Sequence, residues 1–260
     1  MLNFEKKGQG KETLVLLHGF MENISIWIDL EKHLSKDFTL LKIDLPGHGK
    51  SDTLAEVHTM EMMAEEVKKV LDHQNFKNIH LLGHSMGGYV SLAFAEQYSD
   101  YLKSLTLFFS NYFPDDAEKK EQRKKSYRII KDAFAHYARA GIPNLFNPNE
   151  RDVLEGKIET ALEVALSTNN LGALACVKGM VERTDKKHVL ENLECRILVL
   201  AGKHDNAVKT ENTINNLPDR TNIKSYVLDC GHNGHWEKPS ICAEIINTEL
   251  LHHLPKNLVL

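Results

Sequence analysis

The chain has 260 residues, 42 % of them apolar and 26 % charged; this composition excludes disorder and suits one large α/β domain or two small ones. The formal charge of −4 offers no concentrated basic surface, so nucleic acid is not expected as a partner. No run approaches the roughly 18 apolar residues of a membrane span, no basic segment followed by an apolar core opens the chain, and Cys176, Cys195, Cys230 and Cys242 form no C-x-x-C pair. A reduced, cytoplasmic protein without a zinc knuckle or redox dithiol is therefore expected.

Residues 13–18, TLVLLH, form the first clear strand, a continuous apolar run of the kind buried on both faces of a parallel sheet. Only about twelve residues, with a short strand-like stretch among them, precede it. A glycine-containing loop follows, then a helix over residues 26–34. The next strand, 38–44, stops at Pro46-Gly47-His48-Gly49. Thr59 caps a helix running to residue 73, with Glu61 in its first turn and Met62, Met63, Val67, Val70 and Leu71 at helical spacing. A strand over 79–84 leads at once into Ser85 and a helix over 86–97. Strands over 102–109, 196–201 and 223–228 complete the set, with helices over 210–217 and 241–254. Pro218 stops the first of these helices, and Pro239 lies near the start of the second. Strands separated by helices imply an α/β fold: a mostly parallel sheet covered on both faces.

Residues 114–187 break that rhythm. They carry helical periodicity and no strand, and the block is too long for a connecting loop. Tyr127, Ile130, Phe134 and Tyr137 share one stripe; Leu162, Val164, Ala165 and Leu166 belong to another helix. The block is expected to be a helical cap inserted into a core of residues 1–113 and 188–260, forming a lid over the strand ends where such sheets bind ligands. The mixed charge run from Glu118 to Lys125 reads as a solvated helix face.

Gly83-His84-Ser85-Met86-Gly87 fits G-x-S-x-G, and its context fits as well: an apolar strand before the serine and a helical run after it. In such a turn the serine hydroxyl is lifted into the open on a strained backbone. Side chains two positions before and after it would collide with neighbouring backbone, which suits glycine. Ser85 is the candidate nucleophile, and His84 reads as structural or as a pocket-edge residue. A serine hydroxyl needs a base, and the base needs an orienting carboxylate, both at strand ends in the order Ser, Asp, His. Asp205 is the one carboxylate at its strand end; the alternative position, after Phe108 and Phe109, offers Ser110 and Asn111. For the base, His232 and His235 compete, and closeness to the strand end favours His232. Glu237 reads as a structural cap. His232, His235, His18 and His48 could suggest a metal, but no H-E-x-x-H is present, and no metal is expected. His18-Gly19-Phe20-Met21 ends the first clear strand. The backbone N–H groups of Phe20 and Met86 are the candidate oxyanion donors, with Gly19 allowing close approach. Trp27, Tyr112, Phe134 and Tyr137 are candidate pocket residues.

These segments together resemble the α/β-hydrolase superfamily along nearly the whole chain: HGF at 18–20, DLPGHGKSD at 44–52, GHSMGG at 83–88, LAGKHD at 200–205 and GHNGHWEKP at 231–239. The resemblance assigns the base to His232, directly after Gly231 and five residues before Glu237, and makes residues 44–49 a structural loop. The sequence is similar to the carboxylesterase, enol-lactonase and haloperoxidase-like branch, which carries a helical cap after the family's sixth strand. Its end also looks like that of the menaquinone-pathway synthase, a lyase using the same triad. Ser85 argues against the dehalogenase branch, which uses an aspartate nucleophile. The resemblance implies a serine hydrolase cleaving a small-to-medium carboxylic ester or lactone through an acyl-enzyme, without a cofactor. A triad-dependent lyase or C–C bond hydrolase acting on an acidic small molecule is the alternative. Arginines facing Ser85 across the cap would mark it, and the cap offers Arg123, Arg128, Arg139 and Arg151. A non-catalytic receptor for a small ligand on the same fold is the third reading. Monomer and homodimer are both open.

Overall fold

The computed structural model describes residues 1–251. In chain order its elements are β1 (Phe4–Lys7), β2 (Glu12–Leu17), α1 (Ile28–Glu31), β3 (Phe38–Ile43), α2 (Met60–His73), β4 (Ile79–His84), α3 (Met86–Gln97), β5 (Leu102–Phe108), α4 (Ala117–Asp132), α5 (Phe134–Gly141), α6 (Glu155–Leu166), α7 (Asn170–Glu182), α8 (Lys187–Asn192), β6 (Arg196–Gly202), α9 (Thr210–Asn215), β7 (Ile223–Leu228), α10 (Gly234–Glu237) and α11 (Pro239–Leu251). The strands form one sheet in the order β1-β3-β2-β4-β5-β6-β7. All pairs are parallel except β1 with β3. The fold is that of an α/β-hydrolase, with α4–α8 inserted as a helical cap between β5 and β6.

β4 lies mid-sheet and is buried along its whole length, as its continuous apolar run requires. Because β2, β4, β6 and β7 run the same way, the loops that follow them meet at one edge of the sheet. Two apolar layers cover the sheet. One joins α2, α3 and α7; the other joins Trp27, Leu30, Phe108, Phe146 and the α11 residues Cys242, Ala243 and Ile246. The Thr59 cap forms as expected, its side chain accepting from the Met62 N–H at 3.1 Å.

Four features differ from the sequence reading. The sheet has a seventh strand, β1, antiparallel at one edge. The helix expected over 26–34 is a 3₁₀ turn (Ile24–Trp27) followed by the single turn of α1. The 3₁₀ turn starts two residues early because the Asn23 side chain caps it at the Ser25 N–H. The helix over 210–217 ends at Asn215. The last helix begins at Pro239, and residues 252–254 of the expected span lie outside the described residues. No described helix is long and apolar enough to cross a membrane.

The cap is not a separate globule. A Cβ at Gly172 of α7 would stand 2.6 Å from the Gly47 Cα, and one at Gly179 would fall on the His58 carbonyl. The two glycines, seven residues apart, share one face of the helix and let its backbone rest directly on the 44–59 loop. The Ala175 carbonyl also accepts the His58 N–H at 3.0 Å.

Candidate active site

Ser85 sits between β4 and α3 with φ 48° and ψ −113°, the left-handed half of backbone space that costs a side-chain-bearing residue energy. The surroundings hold it there. Its N–H donates to the Phe108 carbonyl at 3.1 Å, and its carbonyl accepts from the Ser110 hydroxyl at 2.7 Å and the Gly88 N–H at 2.9 Å. A Cβ at Gly83 would collide with the Gly87 carbonyl, and one at Gly87 with the Leu17 carbonyl. The crowding expected from the motif is therefore real, and glycine alone fits at both positions.

Asp205 follows β6 and His232 follows β7. The Asp205 Oδ2 lies 2.7 Å from the His232 Nδ1, with both side chains buried. The other Asp205 oxygen accepts the N–H groups of Ala207 at 2.7 Å and Val208 at 2.9 Å, so the carboxylate caps its own turn and orients the imidazole together. Burial pushes the His232 ring down, but the charge and hydrogen bond of Asp205, with Glu22 and Glu237 behind, outweigh it and hold the ring above its ordinary value. Ser85 and His232 line one cavity of about 180 Å³. Glu237 is structural: its carboxylate accepts from Gly231 N–H at 2.8 Å, Asn147 N–H at 3.0 Å and Asn233 N–H at 3.1 Å. The His232 N–H donates to Leu145 O at 2.7 Å, so the loop after β7 is sewn to the cap.

The loop after β2 is held from below by histidines. The His48 Nε2 accepts the Met21 N–H at 3.1 Å, and the His18 Nε2 accepts the Leu45 N–H at 2.9 Å. Accepting a backbone donor requires a neutral ring, and burial keeps both neutral, pushing His48 down to about 3. Among the described residues, neither the Phe20 nor the Met86 N–H donates to another protein group. Both residues belong to the loop and helix start that border Ser85.

Of the four candidate pocket side chains, only Tyr137 lines this cavity. Trp27 is fully buried against Phe108 and His235, with ring centroids 6.0 and 5.7 Å away. Tyr112 is buried with its hydroxyl donating to the Thr213 carbonyl at 3.0 Å, outside the cavity. Phe134 packs against the apolar layers and does not line the cavity; the stripe read through 127–137 spans two helices, because the helix breaks at Ala133 (φ −144°, ψ 46°). The sequence reading missed Tyr89, Met180, Leu145, Val208 and, above all, Lys119. Arg123 and Lys119 line the cavity from α4, so the run 118–125 is not wholly a solvated face. Their spacing of four was the available signal, since it sets both on one side of the helix. Arg123 is anchored to Asp115 at 2.5 Å, and Asp115 also holds Arg183 at 3.0 Å. Lys119 has no carboxylate partner among the described residues; burial, then Arg123, pushes its ammonium below the usual range. Arg128 and Arg139 are exposed, and Arg151 binds Asn144 at 3.0 Å.

For a metal, the described residues offer one group of three, Glu22, His84 and His235, whose ligand atoms lie within 4.8 Å of one another. It is not the His232 pairing that the sequence suggested. Glu22 and His84 are already bonded to each other at 2.8 Å.

A strained serine between a mid-sheet strand and a helix, with an Asp–His pair at neighbouring strand ends, defines the class of α/β-fold hydrolases. The family model described as alpha/beta hydrolase fold matches residues 12–239, and the chain belongs to that family. It is 26 % identical over 259 residues to a 2-hydroxy-6-oxononadienedioate/2-hydroxy-6-oxononatrienedioate hydrolase of Pseudomonas putida, covering 91 % of this chain and 87 % of that one. A solved thermophilic esterase from Thermogutta terrifontis, with malate bound, superposes with a TM-score of 0.88 at 32 % identity, covering 96 % of this chain and 92 % of that one. The chain also matches 107 residues of the dihydrolipoyllysine-residue acetyltransferase component of an acetoin cleaving system from Pseudomonas putida at 37 % identity. That match spans 41 % of this chain and only 29 % of that protein. The chain is an enzyme of this superfamily, acting hydrolytically on a small organic molecule.

Proposed function

We propose that Ser85, His232 and Asp205 act as nucleophile, base and orienting acid in hydrolysing a small carbonyl compound that bears a carboxylate, and that the bond broken is a carbon–carbon bond beside the carbonyl. The Ser85 hydroxyl adds to the carbonyl carbon as His232 takes its proton. The Phe20 and Met86 N–H groups hold the oxyanion. Collapse expels the neighbouring carbon as an enolate-type carbanion, which His232 protonates. Water, losing a proton to His232, then adds to the acyl carbon, and Ser85 leaves with that proton. The sum is ketone plus water to carboxylic acid plus a C–H product.

The observation that carries the acidic-substrate reading is the position of Lys119 and Arg123 in the wall of the Ser85 cavity. A cation without a carboxylate partner, in a partly desolvated wall, is suited to receive one. The similarity to a hydrolase named for dienedioate and trienedioate substrates points the same way. The 32 % identity to an esterase favours a second reading, the same acyl-enzyme chemistry on an ester or lactone. The residues 114–187, as a cap, would then set the acyl and alcohol preference.

A substrate panel separates the two. It compares vinylogous 2-hydroxy-6-oxo dienoic acids with neutral aryl esters of matching size, alongside fluorophosphonate labelling of Ser85. Labelling together with kcat/KM at least about tenfold higher for the acids is the expected result. Higher values for the neutral esters overturn the C–C reading and leave the serine chemistry.

A further inference from the structure

Glu22 has no role in the chemistry above, yet it is a buried carboxylate at the centre of the site. Its Oε2 accepts the Gly19 N–H at 2.6 Å, in the loop carrying Phe20. The same oxygen lies 2.8 Å from the His84 Nδ1, one residue before the nucleophile. The His84 Nε2 lies 3.1 Å from the carbonyl of His232. The Oε1 faces the His235 Nε2 at 3.8 Å, beyond direct bonding. One carboxylate thus touches the loop after β2 and the last residue of β4, and reaches the loop after β7 through one imidazole. Both His84 nitrogens face oxygen atoms, one of Glu22 and one of the His232 backbone.

We propose that Glu22 is a positioning residue, whose carboxylate fastens the Phe20 amide to the nucleophile turn through Gly19 and His84 and fixes the backbone of His232 through the same imidazole. The proposal rests on the triad reading and goes beyond it. Two further facts agree with it. Burial works to raise the Glu22 carboxyl, but His84 beside it holds it down at about 2, so it stays ionised as the bonds require. A Cβ at Gly19 would lie 2.7 Å from the Glu22 Oε2, 2.9 Å from the His84 Nδ1 and 3.2 Å from the Ser85 Cβ. The glycine is therefore needed where loop, carboxylate and nucleophile turn converge.

The oxyanion donors act on charge that develops only in the transition state, so loosening them lowers kcat and spares KM. The test measures kcat, KM, thermal melting and fluorophosphonate labelling in the wild type, Glu22→Ala and Glu22→Gln. Glu22→Ala is expected to lower kcat about 100-fold with KM within about twofold. Glu22→Gln keeps the shape and an acceptor for the Gly19 N–H but places an amide NH₂ against His84, so it is expected to recover about tenfold of that loss. Should Glu22→Ala not fold, Glu22→Gln read against the wild type carries the test, with an expected loss of about tenfold in kcat. A kcat within about twofold of wild type in the folded variants, or a loss confined to KM, overturns the proposal. A wild type that does not label at Ser85 overturns the triad reading and this one with it. A labelled wild type with unaltered variants overturns this one alone.

Discussion

The floor of the cavity and its roof are held by different means. In the floor, backbone does most of the work: Ser85 at positive φ, Gly83 and Gly87 against neighbouring carbonyls, and His18 and His48 accepting main-chain N–H groups. In the roof, side chains face the cavity from α4 and α5, and what fixes them is packing and one ion-pair group, Asp115 with Arg123 and Arg183. The two meet at Leu145, whose carbonyl takes the His232 N–H, and at Glu237, which bonds both Asn147 and Gly231. The floor is therefore suited to fixed chemistry, the roof to selection among substrates.

The largest expected effect breaks the chemistry and leaves the roof alone. Ser85→Ala is expected to abolish turnover, a loss of about 10⁴-fold or more, with binding of a substrate analogue and thermal melting little changed. Turnover surviving in the purified variant would take the floor out of the chemistry. Lys119→Met works in the opposite sense. KM for a carboxylate-bearing substrate should rise about 10- to 100-fold, while a neutral ester changes less than about threefold. Equal effects on both substrates would show that Lys119 shapes the cavity and does not read charge.

That division also accounts for what could be read from the sequence. Floor residues are announced locally. G-x-S-x-G names a turn whose backbone leaves no choice at Gly83 and Gly87, and Asp205 and His232 lie a few residues past the ends of strands β6 and β7. The roof is announced only by helical period, which sets the spacing of a face but not what it meets. Tyr137 reaches the cavity and Phe134, three residues before it on the same helix, does not, and the stripe they share with Tyr127 and Ile130 crosses a break at Ala133 that no proline or glycine marks. Lys119 and Arg123 sit in a run of mixed charge that reads like any solvated helix. Trp27 and Tyr112 were misplaced for a related reason: aromatic character alone does not separate a core ring from a pocket ring. The Glu22 cluster needed coordinates, since residues 22, 84 and 235 are far apart in the chain.

Acid should act on the floor before the roof. Burial drives His48 down to about 3 from 6.5 and His235 well below 6.5. In the unfolded chain these rings take up protons first. The stability they confer is thus full above 6.5 and is lost as pH falls below it. Glu22 titrates at about 2 against 4.5, so its contribution is present above 4.5 and is lost only as pH falls below that. A urea midpoint lower at pH 5 than at pH 7.5 therefore reports the histidines and not Glu22. His232 carries the opposite sign for stability, because its pKa is raised: its contribution is full below 6.5 and is lost as pH rises through the folded value. Since only the neutral ring accepts the serine proton, the acid limb of kcat/KM should lie above 6.5. A limb below 6.5 would mean that Asp205 does not govern the base.

The smallest effect tests the boundary between the two regions. Tyr112 lies at the start of the segment leading to the cap, but its hydroxyl points into the body and donates to the Thr213 carbonyl of α9 at 3.0 Å. Burial pushes the phenol well above its usual range, so it stays neutral at any working pH. Tyr112→Phe removes one neutral hydrogen bond and keeps the ring, which should cost about 1 kcal/mol of stability. Because the ring lies outside the Ser85 cavity, kcat and KM should both stay within about twofold of wild type. Tyr137→Phe is the matched control, the same chemical change on α5 in the roof, facing the cavity, and there KM is the parameter expected to move. If Tyr112→Phe shifted KM and Tyr137→Phe did not, the roof would have to be redrawn to include the segment before α4.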